Sequence, residues 1–282
     1  MATGGTDGWV HIWDWRAGTT TVNWKANSDK VLVLGVSPDG AWLATGGDDG
    51  QVRIWDPTNG TNTTNLTGHT GPVRALAISP DGTWLASGAD DAQVRLWDLE
   101  TASCTAILTG HTDRLRNVKI SPCGSWLASC GDDGELRIWD RATSTHTATL
   151  ARHSNGISSL AISADGTWLA AAEGDEFVRI YDTKTRDIIT SLDEYEALEV
   201  AIAPDSTWIA IGYVDGTLSR WSPDHGLTII GHSSPIPKIA ISPDGTWIAT
   251  GGNDNAVRIW GLSKADAIER PQTMCAIAMS PE

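Results

Sequence analysis

The chain has 282 residues, a mass of 30.0 kDa and a formal net charge of −15 at pH 7. That balance excludes nonspecific binding to nucleic acid or anionic lipid, because both rest on basic surface. Apolar residues make up 40% of the chain, enough for a core, yet no run reaches the roughly eighteen apolar residues that a membrane-spanning helix needs.

Taken from the start, Met1-Ala2-Thr3-Gly4-Gly5 aligns with Leu43-Ala44-Thr45-Gly46-Gly47, so the chain is expected to begin inside the second strand of a unit. These residues carry neither the basic patch nor the apolar segment of a signal peptide. Trp13-Asp14 ends the next strand, and an outer strand is expected near Thr19–Trp24. The following unit shows all four strands, at Val31–Val36, Trp42–Gly46, Val52–Trp55 and Thr61–Leu66, from their alternation of apolar and polar residues. Ser37-Pro38-Asp39-Gly40 sits between the first two. Proline fixes one dihedral and glycine tolerates positive φ, which suits a tight turn.

From there the unit repeats. Trp55-Asp56, Trp97-Asp98, Trp139-Asp140 and Tyr181-Asp182 follow Trp13-Asp14 at intervals of 42 residues, and Trp221-Ser222 and Trp260-Gly261 come after 40 and 39. The turn wording returns at Ser79, with variants at Ser121, Ser163, Ala203 and Ser242. Fifteen tryptophans against one phenylalanine reflect this repetition. At the far end, Cys275-Ala276-Ile277-Ala278-Met279-Ser280-Pro281 aligns with Leu32–Pro38 and supplies the first strand that the N-terminal unit lacks.

A lone four-stranded sheet cannot bury both faces, whereas a ring of them stacks face to face around a channel. The expected fold is therefore all-β. It is a seven-bladed β-propeller of four-stranded antiparallel sheets, closed by a C-terminal strand joining the N-terminal blade, with residues 1–282 forming one domain. The glycine–histidine, turn-aspartate and tryptophan–aspartate pattern resembles the WD40 repeat family along the whole chain. The regular Asp-Gly-Thr-Trp-Leu-Ala wording is similar to the propellers of bacterial multidomain kinases and signalling ATPases. No kinase or P-loop motif is present.

The resemblance implies a buried hydrogen-bond network in each blade. A histidine donates to the turn aspartate, and a serine or threonine bridges onward to the indole nitrogen. Matching sets are His69, Ser87, Asp91 and Trp97; His111, Ser129, Asp133 and Trp139; and His232, Thr250, Asp254 and Trp260. Other blades depart from the pattern. Blade 1 has Arg270 with Thr3, Asp7 and Trp13, and blade 2 has Asn27 with Thr45, Asp49 and Trp55. Blade 5 keeps His153 and Asp175 but has Ala171 and Tyr181, while blade 6 has Asp193 and Ile211 in place of histidine and serine. Blades 5 and 6 are accordingly expected to open before blades 3 and 4.

These sets have the composition of Ser-His-Asp triads, but a nucleophilic serine must lie exposed beside its base. Recurrence at fixed spacing beside buried tryptophans is what a scaffold requires, so no enzymatic activity and no cofactor are expected. The histidines stand about one blade apart, away from ligand spacing, so no metal site is expected either. His11, His146 and His225 fall outside the sets and are expected at the surface.

The resemblance further implies a narrow face that binds proteins or peptides. Positions three residues beyond the histidine are Lys30, Pro72, Arg114, Gly156, Glu196, Pro235 and Thr273. Those five beyond it are Leu32, Arg74, Arg116, Ser158, Leu198, Pro237 and Cys275. Positions just before the turn aspartate are Thr6, Asp48, Asp90, Asp132, Gly174, Val214 and Asn253. Among these, Lys30, Asp48, Arg74, Asp90, Arg114, Arg116, Asp132 and Glu196 form the candidate partner site, unless the arginines pair with the aspartates of neighbouring blades.

The expected function is a non-enzymatic scaffold or sensory module for a protein or peptide partner, with no nucleic acid or membrane partner. The alternative is a propeller binding a small ligand or glycan, for which Trp15 and Trp24 would have to be exposed. Cys104, Cys123, Cys130 and Cys275 form no paired framework and read as free thiols in the reducing cytoplasm. The isolated chain is expected to be a monomer.

Overall fold

The protein was described from a computed structural model. It covers all residues except 15, 154, 194–195, 223–225, 263–266, 272–273 and 279–282, with backbone alone over 226–230, 267–271 and 274–278.

The turn wording builds the hairpin between the first two strands of a blade. In blade 3 the Ser79 hydroxyl donates to Asp81 at 2.6 Å and accepts the Trp84 amide at 3.1 Å. The Ser79 carbonyl accepts the Gly82 amide at 2.9 Å, with Gly82 at φ +69°, a conformation that disfavours side chains. Val73–Ile78 and Trp84–Ala89 are thereby held antiparallel, and Val94–Asp98 and Ser103–Leu108 extend the sheet outward. The same arrangement recurs in blades 2 (31–66), 4 (115–152), 5 (157–193), 6 (197–230) and 7 (238–271). The remaining sheet has the order Met274–Ala278, Ala2–Gly5, Trp9–Asp14, Thr19–Lys25.

The seven antiparallel sheets make a seven-bladed β-propeller. Its core lies between blades, as expected for sheets apolar on both faces. One cluster joins Trp84, Leu96 and Leu108 of blade 3 to Leu115, Val118, Leu127 and Trp139 of blade 4. Equivalent clusters join blades 1 and 2, 2 and 3, 4 and 5, 5 and 6, and 6 and 7, and Met1 packs against Trp247, Val257 and Ile259 of blade 7. Close approach shapes the sequence here. A Cβ on Gly88 would lie 2.9 Å from Leu115 Cδ1 of the next blade. The first strands of blades 2 to 7 touch in succession, bounding the channel.

Candidate functional site

Two groups of polar residues need an account, one inside the blades and one around the channel. Inside blade 3, Trp97 Nε1 donates to Ser87 Oγ at 2.8 Å, Ser87 Oγ lies 2.7 Å from His69 Nε2, and His69 Nδ1 lies 2.9 Å from Asp91 Oδ2. Blade 4 repeats this with Trp139, Ser129, His111 and Asp133, each link being 2.7 Å. Blade 7 uses Trp260, Thr250, His232 and Asp254 at 2.9, 2.8 and 2.8 Å. Each aspartate also accepts the backbone amide following its histidine, from Thr70, Thr112 or Ser233.

The atoms are connected as in a serine hydrolase, but their setting is not. Ser87, Ser129 and Thr250 have 0% exposure, so no substrate carbonyl can reach those hydroxyls. Burial pushes the His69 imidazole below its ordinary value, which favours the neutral ring that the network needs. Burial by itself would raise the Asp133 carboxyl, but the His111 hydrogen bond and the Glu135 amide hold it below the ordinary range.

Blades that depart from the pattern use other solutions. Trp13 and Trp55 still donate to Thr3 and Thr45 at 2.9 Å. Asn27 turns to the Lys30 carbonyl, and Asp49 pairs with Arg53. Blade 5 is not the gap that its Ala171 and Tyr181 suggest. The fully buried Glu173 carboxylate accepts the Tyr181 hydroxyl at 2.5 Å, lies 2.7 Å from His153 Nε2 and pairs with Arg179. Blade 6 lacks the histidine arm, and its Tyr213 hydroxyl meets Ser219 Oγ at 2.7 Å.

Blade 5 also bears on the expectation of no metal site. Among the described residues, His153, Glu173 and Asp175 bring possible ligand atoms within 4.8 Å of one another. The Arg179 guanidinium joins both carboxylates, with Asp175 at 2.8 Å, and so supplies the positive charge there. The donor set is already satisfied as an ion-pair network and fits a metal poorly.

At one end of the channel lies a concavity of about 280 Å³ lined by Leu32, Arg74, Arg116, Ser158, Leu198, Glu199, Pro237, Lys238 and Asn253. Six of these are narrow-face positions five residues beyond the histidine, one from each of blades 2 to 7. Arg74 forms a bidentate pair with Asp90, at 2.5 and 2.9 Å. Arg116 does the same with Asp132, at 2.6 and 3.0 Å, and Arg114 also engages Asp132. The pairing is within a blade, not between neighbours. The Asp90 hydrogen bond raises the Arg74 pKa, burial opposes it, and the Asp48 and Asp132 charges of the adjacent blades add to the increase. Lys30 and Glu196 are exposed, and no ion pair joins them to this array among the described residues. Thr273, Trp15 and His225 lie outside the described residues, as does the Cys275 side chain.

The WD domain, G-beta repeat family matches residues 18–56, 60–98, 102–140, 144–182 and 224–261, more than half of the chain. The chain belongs to this WD40 family. A search of curated proteins found no match. WD40 propellers are typically non-catalytic, and among the described residues there is no clear catalytic site or cofactor-binding motif. The family pattern accounts for the histidine–aspartate–tryptophan sets, but several residues that matter here lie outside it. Glu173 replaces the bridging serine from two positions along the strand. Lys119, Glu199 and Lys238 point polar groups into the WD40 channel. Their signal was an irregularity, namely charged residues at first-strand positions that are small or apolar in most other repeats. Trp24 offers no glycan platform, being 8% exposed and packed against Trp55.

Proposed function

We propose that this WD40 propeller is a non-enzymatic protein-interaction module whose narrow face binds a protein or peptide segment of acidic or mixed charge. The fold is generally used for protein–protein interaction. The observation that carries the finer reading is the convergence of Arg74, Arg114 and Arg116 beside the concavity, in a chain with only 20 lysines and arginines. Guanidinium groups bind carboxylates in a planar, two-pronged manner. Their existing aspartate partners hold them in orientation, and because these pairs are only partly buried at the channel mouth, an incoming carboxylate can exchange for them.

The same reading treats residues 1–282 as one domain closed by the C-terminal strand. It is supported by the antiparallel pairings Ala2↔Ala278, Thr3↔Ile277 and Gly4↔Ala276, and by contact of that strand with the first strands of blades 2 and 7. Free Cys104, Cys123 and Cys130 fit a reducing, cytoplasmic setting. Attachment to a kinase or ATPase rests on the turn wording alone.

Affinity capture from native extract tests the interface, with the R74A/R114A/R116A triple variant as the comparison. A partner retained by the parent chain and lost by the folded variant supports the reading. Equal retention by both would remove the arginines from the binding surface.

A further inference from the structure

Below the concavity, and sharing Arg74, Arg116, Glu199 and Lys238 with it, the channel contains a second cavity of about 100 Å³ that Asn117 and Lys119 also line. Lys119 is the anomaly. It stands three residues before the turn proline of blade 4. The corresponding places, counted back from the same turn position, hold Gly35, Ala77, Ala161, Ala201, Ala240 and Ala278. At this strand position one long cationic side chain therefore stands where every other blade has glycine or alanine.

The charges around this cavity do not balance locally. Arg74 and Arg116 are matched by Asp90 and Asp132, and Lys238 Nζ lies 3.3 Å from Glu199 Oε2. Lys119 has no hydrogen bond or ion pair among the described residues, and its half-buried side chain lines this cavity. Burial pushes its pKa down, with the charge of Glu199 opposing and that of Lys238 reinforcing that effect. A partly desolvated cation with no direct ion-pair partner is unfavourable, and a bound anion relieves the penalty.

We propose that the channel contains a binding site for a free, phosphate-class oxyanion, held between the ammonium groups of Lys119 and Lys238 and reached through the mouth at Arg74 and Arg116. Blades 4 and 7 are three steps apart in the ring, so the two lysines approach the channel axis from opposite sides. Both ammonium groups line the same small cavity, as does Asn117, whose amide also donates to Ser159 at 3.4 Å. Lysine recognises phosphate as a point charge and needs no planar pairing. The site goes beyond the narrow-face interface and uses different residues for its central contacts.

Isothermal titration calorimetry with inorganic phosphate, on the full chain at fixed ionic strength in chloride, tests the site. The parent chain is expected to show saturable one-to-one binding. Lys119→Met, which retains length without charge, is expected to weaken it at least tenfold. Lys238→Met tests the other cation and is expected to weaken binding in the same direction, so the result does not depend on the folding of one variant. Absence of saturable binding to the parent chain, or affinity unchanged in both folded variants, would overturn the proposal.

Discussion

Trp139 donates its indole N–H to Ser129 Oγ at 2.7 Å, and that bond fixes the direction of the whole network in blade 4. An indole N–H can only donate, so the serine oxygen accepts. The serine's own proton is then free to point at His111 Nε2, 2.7 Å away, and His111 Nδ1–H faces Asp133 on the other side of the ring. The serine is an acceptor wedged between two rings, with its proton committed to a buried imidazole. The arrangement ties the second strand, the third strand and the loop before the first strand into one unit.

Acid should weaken the networks of blades 3 and 4 in two stages. The His69 imidazole has a lowered pKa in the fold, so the folded chain binds fewer protons there than the unfolded chain. Its contribution is complete above the ordinary imidazole value of about 6.5 and is lost as pH falls from there toward the depressed folded value. Asp133, also held low, adds a second loss once pH falls below about 4. The urea midpoint is expected to decline over a first interval that opens as pH falls through about 6.5, and more steeply over a second below about pH 4. A flat profile over the first interval would show that His69 does not contribute in this way.

Glu173 is expected to be the most sensitive residue of blade 5. Glu173→Ala strips the Tyr181 hydroxyl, Arg179 and His153 of a shared buried partner. Removing one side of a buried ion pair costs about 3–5 kcal/mol, and Glu173→Gln should fall between that variant and the parent chain. Urea unfolding measures both, and a Glu173→Ala chain as stable as the parent would mean that the network is not coupled to folding. Because Arg179 already supplies the positive charge, dialysis against a chelator should leave the thermal midpoint unchanged.

Blade 6 is expected to exchange its amides faster than blades 3 and 4. Its second strand, Ile209–Tyr213, carries Ile211 where those blades have Ser87 and Ser129, and no histidine arm crosses it. Hydrogen exchange in 209–213 should therefore outpace that in 85–89 and 127–131. Slower exchange in blade 6 would show that the interblade apolar contacts, rather than the polar network, set local stability.

Removal of residues 274–282 tests the proposed closure. It would leave Ala2–Gly5 as an unpaired inner edge, and such edges invite association with other chains. A lower thermal midpoint and concentration-dependent aggregation are expected. An unchanged midpoint with a monomeric product would argue against a closing role for that strand.

The blades were legible because proline, glycine, aspartate and tryptophan mark most turns and third strands with a regular period. The strands expected at Val31–Val36 and Thr61–Leu66 coincide with those observed. The sets around His69, His111 and His232 were legible for the same reason, since each serine, aspartate and tryptophan lies at a constant offset. Glu173 was not, because it reaches the network from a strand position that is alanine or glycine in blades 3 and 4. The pairing of Arg114 and Arg116 with one carboxylate depends on how a loop folds over the channel mouth, which periodicity cannot report. Lys119 was visible only as a break in a run of small residues, and its meaning depends on the ring bringing distant first strands together.

The central claim is that the serine, histidine and aspartate groups hold the blades together and do no chemistry. Urea unfolding of Ser129→Ala tests it most directly. The change leaves the Trp139 indole N–H and His111 Nε2 without their buried partner, and each such orphan costs about 1–3 kcal/mol. A loss of about 2–4 kcal/mol in unfolding free energy is expected. Unfolding free energy equal to that of the parent chain would contradict the account.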